Sequence, residues 1–163
     1  MPERVAAGAD TAPAISAPSR PALTFGLLRA LIASTIERLN ALGIGRNDRV
    51  AIVLPNGPEM ATCFMACASG VASAPLNPAY RAEEFEFYLS DLNAKALIVD
   101  RGSTSPAVEV AAKLGIRVID LVSAEAAGSF TLQPRDDARG TIALNGGFAE
   151  AGDVSMVLHT SGT

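Results

Sequence analysis

Residues 49–58, Arg49-Val50-Ala51-Ile52-Val53-Leu54-Pro55-Asn56-Gly57-Pro58, decide the fold. Residues 50–54 form an unbroken apolar run of strand length. A strand with one wet face alternates polar and apolar positions, so a continuous run predicts burial on both faces, as in a parallel sheet. Asn56 as a cap, Pro58 in the first turn and Glu59 three positions after Asn56 predict a helix that reaches about Ser69 and stops at Gly70. An ordinary dinucleotide-binding domain needs Gly-x-Gly-x-x-Gly after its early strand. Here Leu54 is followed by Pro55-Asn56-Gly57-Pro58, which excludes it.

The pattern extends in both directions. Upstream, Thr24 is placed to cap a helix whose apolar face is Leu27, Leu28, Leu31, Ile32, Ile36 and Leu39; Gly43 ends it and Ile44 packs back. Downstream, residues 71–76 read as a short strand, Asn77-Pro78 as a turn, and Phe85, Tyr88, Leu89 and Leu92 as the inner face of a helix from about Arg81. A strand at 96–100, a helix at 105–114 closed by Gly115 and a strand at 116–121 follow. Strands and helices in alternation predict an α/β fold, a mostly parallel sheet flanked by helices on both faces. Residues 1–20 read as a loose Ala/Pro-rich leader with room for a short strand at 14–16, and residues 21–163 as one incomplete α/β domain. Residues 126–152 read as a long connection with room for a short helix or strand. Residues 153–158 are expected to form a final strand.

Composition narrows the function. The chain has 163 residues, 49% of them hydrophobic, and a mean hydropathy of +0.28. Its apolar runs are broken well short of the roughly 20 residues of a membrane span. The apolar excess fits segments buried on both faces, or a surface that meets more protein. Net charge is -4 and the basic residues are scattered, with no stripe for nucleic acid. Cys63 and Cys67 stand four apart in an apolar stretch, poor geometry for a disulfide and without a second Cys/His pair for zinc. They read as two buried small hydrophobes in a reducing compartment, and the first residues lack the apolar core of a secretory signal; a cytoplasmic protein is expected.

The candidate site is Thr160-Ser161-Gly162-Thr163, directly after the last predicted strand. Ligands of open parallel sheets gather beyond the carboxyl ends of the strands. A small-residue loop there can aim successive N–H groups and hydroxyls at an anion, and Gly162 permits close approach of a phosphate. Other candidates carry two readings each. His159, the only histidine, is a base or a loop support, with no carboxylate identifiable beside it. Tyr80 and Arg81 are a carboxylate clamp or the start of a helix with Arg81 solvated. Glu83, Glu84 and Glu86 are a metal cluster or a complement to a helix dipole. Phe85, Phe87 and Tyr88 are an adenine box or core and rim aromatics, and Asn77 bonds its own turn.

Leu158-His159-Thr160-Ser161-Gly162-Thr163 resembles the start of the phosphate loop of the acyl-adenylate-forming superfamily. Leu23-Thr24-Phe25-Gly26-Leu27-Leu28 is similar to that family's first motif, with Phe25 where Tyr is usual. Ala68-Ser69-Gly70-Val71-Ala72-Ser73-Ala74-Pro75-Leu76-Asn77-Pro78 is similar to its second, and residues 45–51 to its usual Gly-Asp-Arg-Val-Ala stretch. The resemblance spans residues 21–163. Residues 74–91 lean towards the oxalate–CoA ligase group. It implies a fragment of an AMP-forming acyl-CoA synthetase that uses ATP, Mg2+ and CoA on a small carboxylic acid, oxalate or another short acid. Thr160, Ser161, Gly162 and Thr163 would begin the cradle for the β- and γ-phosphates. It implies no catalytic residue and no metal ligand within this chain, and an isolated fragment that is inactive and binds none of these groups tightly. The alternative is a non-catalytic nucleotide-binding or oligomerisation module derived from the same fold. A truncated sheet is expected to self-associate through its exposed edge.

Overall fold

The computed structural model describes residues 3–136 and 141–159. The elements run α1 (Glu3–Ala7), β1 (Pro13–Ile15), β2 (Leu23–Thr24), α2 (Phe25–Ala41), β3 (Arg49–Val53), α3 (Pro58–Ala68), β4 (Ala72–Pro75), α4 (Ala82–Asp91), β5 (Ala96–Asp100), α5 (Pro106–Lys113), β6 (Arg117–Ser123) and β7 (Phe130–Pro134). β1 and β2 pair antiparallel. The main sheet has the order β4-β3-β5-β6-β7; its first four strands are parallel and β7 closes it antiparallel to β6.

The apolar run that decided the fold behaves as its pattern requires. Val50, Ile52 and Leu54 face a core with α2 and α3, while Ala51 and Val53 face a second core with α4 and α5. β5 divides likewise, Ala96 and Ile98 to one side, Leu97 and Val99 to the other. Helices therefore cover both faces, which is why these strands carry no alternation.

Local signals set the helix ends. Thr24 Oγ1 accepts the Leu27 N–H at 3.3 Å, capping α2. Gly43 takes φ 81°, its N–H bonds Asn40 O, and the Ile44 N–H bonds Leu39 O, the double bond of a left-handed helix stop. Asn56 does not cap α3; Gly57 holds that position without a side-chain bond, and the largely covered Glu59 side chain pairs with Arg20 and accepts the Gly128 N–H. Leu27, expected on the inner face, is 55% exposed, because it lies one position off the buried stripe of Leu28, Leu31, Ile32 and Leu39.

The short strand expected near 14–16 is present as β1 and the one allowed within 126–152 as β7, whereas α1 and the segment 153–158 differ from the sequence reading. The segment read as a loose leader is ordered into α1 and β1, with Val5 buried and the Arg29 guanidinium donating to the carbonyls of Val5 (2.7 Å) and Gly8 (2.9 Å) and pairing with Asp10. The 126–152 connection contains β7, whose Phe130 and Leu132 point into the core while Thr131 and Gln133 point to water. The expected strand at 153–158 is reduced to one parallel bridge, Ser73 with Met156. Val154, Met156 and Leu158 remain exposed there, so little apolar burial drives a longer ladder.

Candidate functional site

The carboxyl ends of β3, β4 and β5 lead to Leu54, Leu76 and Arg101, and the approach to the predicted phosphate loop lies beside β4. The Ser73 N–H donates to Ser155 O at 3.0 Å and the Val157 N–H to Ser73 O at 2.9 Å. This is a parallel pairing, so residues 155–157 travel in the direction of β4, towards the carboxyl edge of the sheet. Thr160, Ser161, Gly162 and Thr163 themselves lie outside the described residues.

Two groups of side chains flank this approach. At its start, Asn47 stands at φ 67°, a conformation Asn tolerates better than most residues. Its Nδ2 donates to Asp153 Oδ1 and its Oδ1 accepts the Val154 N–H, both at 2.8 Å. The other Asp153 oxygen accepts the Glu150 N–H at 2.7 Å, and Arg46 approaches Asp153 to 3.7 Å and pairs with Glu150. The Glu150 N–H, the Asn47 amide and Arg46 together hold the Asp153 carboxyl below its ordinary value of 3.8, against a smaller opposing effect of burial.

At its end stands His159. Nε2 lies 2.9 Å from Asp91 Oδ2 on the last residue of α4, and the ring meets Tyr88 at 4.6 Å between centroids. The sequence reading saw no carboxylate beside His159; Asp91 is that partner, 68 positions away. A carboxylate on the imidazole is compatible with both readings of His159, a base and a loop support.

The remaining candidates have local partners. Tyr80 stacks on Tyr88 at 4.9 Å and meets Phe85 edge-on at 5.8 Å; the contact with Tyr88, added to some burial, pushes its phenol up from 10.0. Arg81 is exposed, and its N–H donates to the Glu84 carboxylate at 2.9 Å, so Glu84 caps α4. Glu83 and Glu86 are exposed. Phe85 is core and Phe87 is 63% exposed, a core and rim pair. Asn77 Oδ1 accepts the Ala79 N–H at 3.0 Å, closing its own turn. Cys63 and Cys67 are free and fully buried, and the contact between them, with burial, raises the Cys63 thiol well above 9.0.

Sequence reasoning missed a polar group at the same edge. Arg20 pairs with Glu59 at 2.6 Å and donates to the carbonyls of Ala124, Glu125 and Ala126, tying the chain before β2 to α3 and to the β6–β7 connection. Asp100, at the end of β5, is raised above 3.8 by burial and by the nearby negative charge of Glu59. A cleft of about 580 Å3 opens at the opposite, amino edge, lined in part by Asp48, Asn93 and Lys95. Lys95 and Asp48 are ion-paired there at 3.0 Å.

Comparison with known proteins adds a family. Residues 2–163 match the family described as AMP-binding enzyme. The chain is 37% identical to the oxalate–CoA ligase of Arabidopsis thaliana, over 86% of this chain and 28% of that protein. It is 36% identical to the oxalate–CoA ligase of Saccharomyces cerevisiae, over 72% of this chain and 26% of that protein. Among solved structures, ATP-bound MatB from Rhodopseudomonas palustris superposes with a TM-score of 0.71 at 22% identity, covering 98% of this chain and 31% of that one, and so shows the fold alone. The chain thus spans about 28% of the length of the first of these relatives. On the match that runs from residue 2 to residue 163, this chain belongs to the AMP-binding enzyme family.

Proposed function

We propose that this chain forms the front of an AMP-forming carboxylate–CoA ligase and delivers the loop that cradles the phosphates of ATP. The observation that carries the reading is the parallel approach of residues 155–157 beside β4, which sends the chain towards the edge where open sheets hold ligands. Family membership supplies the chemistry.

In that chemistry a carboxylate oxygen attacks the α-phosphorus of ATP, pyrophosphate leaves, and an acyl-adenylate results. The CoA sulfur then attacks the acyl carbon and AMP departs. Such steps depend on positioning and on stabilising charge more than on a protein nucleophile. The backbone N–H groups and hydroxyls of Thr160, Ser161, Gly162 and Thr163 would bind the β- and γ-phosphates. Magnesium accompanies ATP as charge neutraliser; among the described residues no three His, Cys, Asp or Glu side chains come together to hold it, and no residue here is assigned that role.

The substrate we favour is oxalate or another short acid, a choice supported by the named activity of the two oxalate–CoA ligases. A cytoplasmic location is in keeping with the two free buried thiols; among the described residues no helix is long and apolar enough to cross a membrane. The test is carboxylate-dependent exchange of labelled pyrophosphate into ATP by the whole protein, with oxalate, malonate, acetate and a long-chain acid compared. Exchange with a short acid supports the reading; none with any acid removes it. The chain alone is expected to release no pyrophosphate.

A second reading, a non-catalytic module that self-associates, is favoured by the exposed Val154, Met156 and Leu158 beside the β4 edge. Light scattering separates the two states of the isolated chain: a concentration-dependent dimer supports association, and a monomer at all concentrations opposes it.

A further inference from the structure

The segment leading to the predicted phosphate loop is held in an unusual way. Between residues 153 and 159, the described backbone contacts to the sheet are two hydrogen bonds, both to Ser73. Packing fixes its register only through Val157. Val157 packs on the α4–α5 core, but Val154, Met156 and Leu158 are 48%, 44% and 54% exposed. A slip of one residue would turn Val157 out of the core, whereas a slip of two keeps every side chain on its face. Such a slip moves whatever follows by about 7 Å. A phosphate cradle tolerates far less, since about 1 Å of misplacement is enough to cost a large factor in rate.

What opposes the slip is side chains at both ends. Asn47 grips two consecutive positions, Asp153 by its carboxylate and Val154 by its N–H, which a shifted segment could not offer in the same order. The Glu150 N–H and Arg46 hold the Asp153 carboxylate in that position. At the other end the His159 ring is pinned between Asp91 and Tyr88. The two grips sit on different parts of the fold, the turn before β3 and the last turn of α4, so together they set one distance along the segment.

We propose that Asn47 with Asp153, and Asp91 with His159, form a two-ended register lock that positions the phosphate loop for ATP. They are positioning residues: none needs to touch the nucleotide. The lock rests on the reading given under Proposed function, but its structural half does not require any reaction.

The test uses Asn47→Gly, which removes both side-chain bonds while retaining a residue at ease with positive φ, and Asp91→Ala, which removes the His159 partner. Asp91→Asn keeps a hydrogen-bonding group and serves as the conservative control. Amide exchange at Val157 is measured on this chain, and KM for ATP, KM for the acid and kcat on the whole protein. In each disruptive variant, Val157 exchange is expected to quicken by about tenfold, the equivalent of one or two lost hydrogen bonds. KM for ATP should rise by about tenfold, with KM for the acid within about twofold of the parent and partial recovery in Asp91→Asn. Unchanged exchange at Val157 overturns the lock. Faster exchange with an unchanged KM for ATP overturns its positioning role. If the unaltered whole protein does not use ATP, the functional reading fails, and the exchange result alone still decides the lock.

Discussion

The guanidinium of Arg20 lies 2.6 Å from the Glu59 carboxylate, and the same group donates to three successive carbonyls, those of Ala124, Glu125 and Ala126. One side chain from the segment between β1 and β2 thereby holds α3 and the chain between β6 and β7. Arg20→Ala would leave Glu59 without its cation and remove the donor to the Ala124 and Glu125 carbonyls, while the Ala126 carbonyl keeps the Ser129 N–H and hydroxyl. A loss of about 2 kcal/mol is expected from charged hydrogen bonds of this kind. Denaturant unfolding measures it, and a change below about 0.5 kcal/mol would mean the group is no more than a surface contact.

Asp100 and Asp153 pull stability in opposite directions with pH. Asp153 is lowered in the fold, so its contribution is present above its unfolded value of 3.8 and is lost as pH falls through the lowered folded value. Asp100 is raised by burial and by Glu59, so its charge opposes folding once pH exceeds the raised value and is relieved as pH falls below it. Asp100→Asn should therefore raise the thermal midpoint at pH 7, with the gain vanishing as pH drops below the ordinary carboxylate range. A gain that persists in acid would point to a cause other than charge.

Two glycines with nearly the same backbone make a controlled pair. Gly128 has φ 76°, and a Cβ there would stand 2.8 Å from Thr62 Cγ2 and 2.9 Å from Pro58 O. Gly102 has φ 75° with nothing within 4 Å. Gly102→Ala carries the conformational cost alone, about 1 kcal/mol, whereas Gly128→Ala adds steric displacement and should cost about 2–4 kcal/mol. Equal unfolding free energies for the two variants would argue against close contact at Gly128.

The core elements were legible because their signals are local. The unbroken run at 50–54, the Thr24 cap and the Gly43 stop each announce themselves within a few residues, and each lies where the pattern put it. β7 was legible too, in the alternation Phe130-Thr131-Leu132-Gln133, but the surrounding glycines and acids masked a five-residue period-two pattern. The apolar 153–158 stretch misled in the other direction: it forms one bridge to β4, because Val154, Met156 and Leu158 stay exposed and little burial drives a longer ladder. The polar anchors were not legible. Asn47 meets Asp153 across 106 positions and His159 meets Asp91 across 68, and no spacing rule connects residues so far apart. The phosphate-loop residues were proposed from pattern and resemblance, and they lie outside the described residues.

Equilibrium binding of ATP to the whole protein and to its Gly162→Val variant tests the central claim most directly. A side chain at that position would crowd the backbone against the phosphates. ATP affinity should fall by at least about tenfold, about 1.4 kcal/mol, while the thermal midpoint without nucleotide stays where it was. Equal affinity in the two proteins would contradict the account.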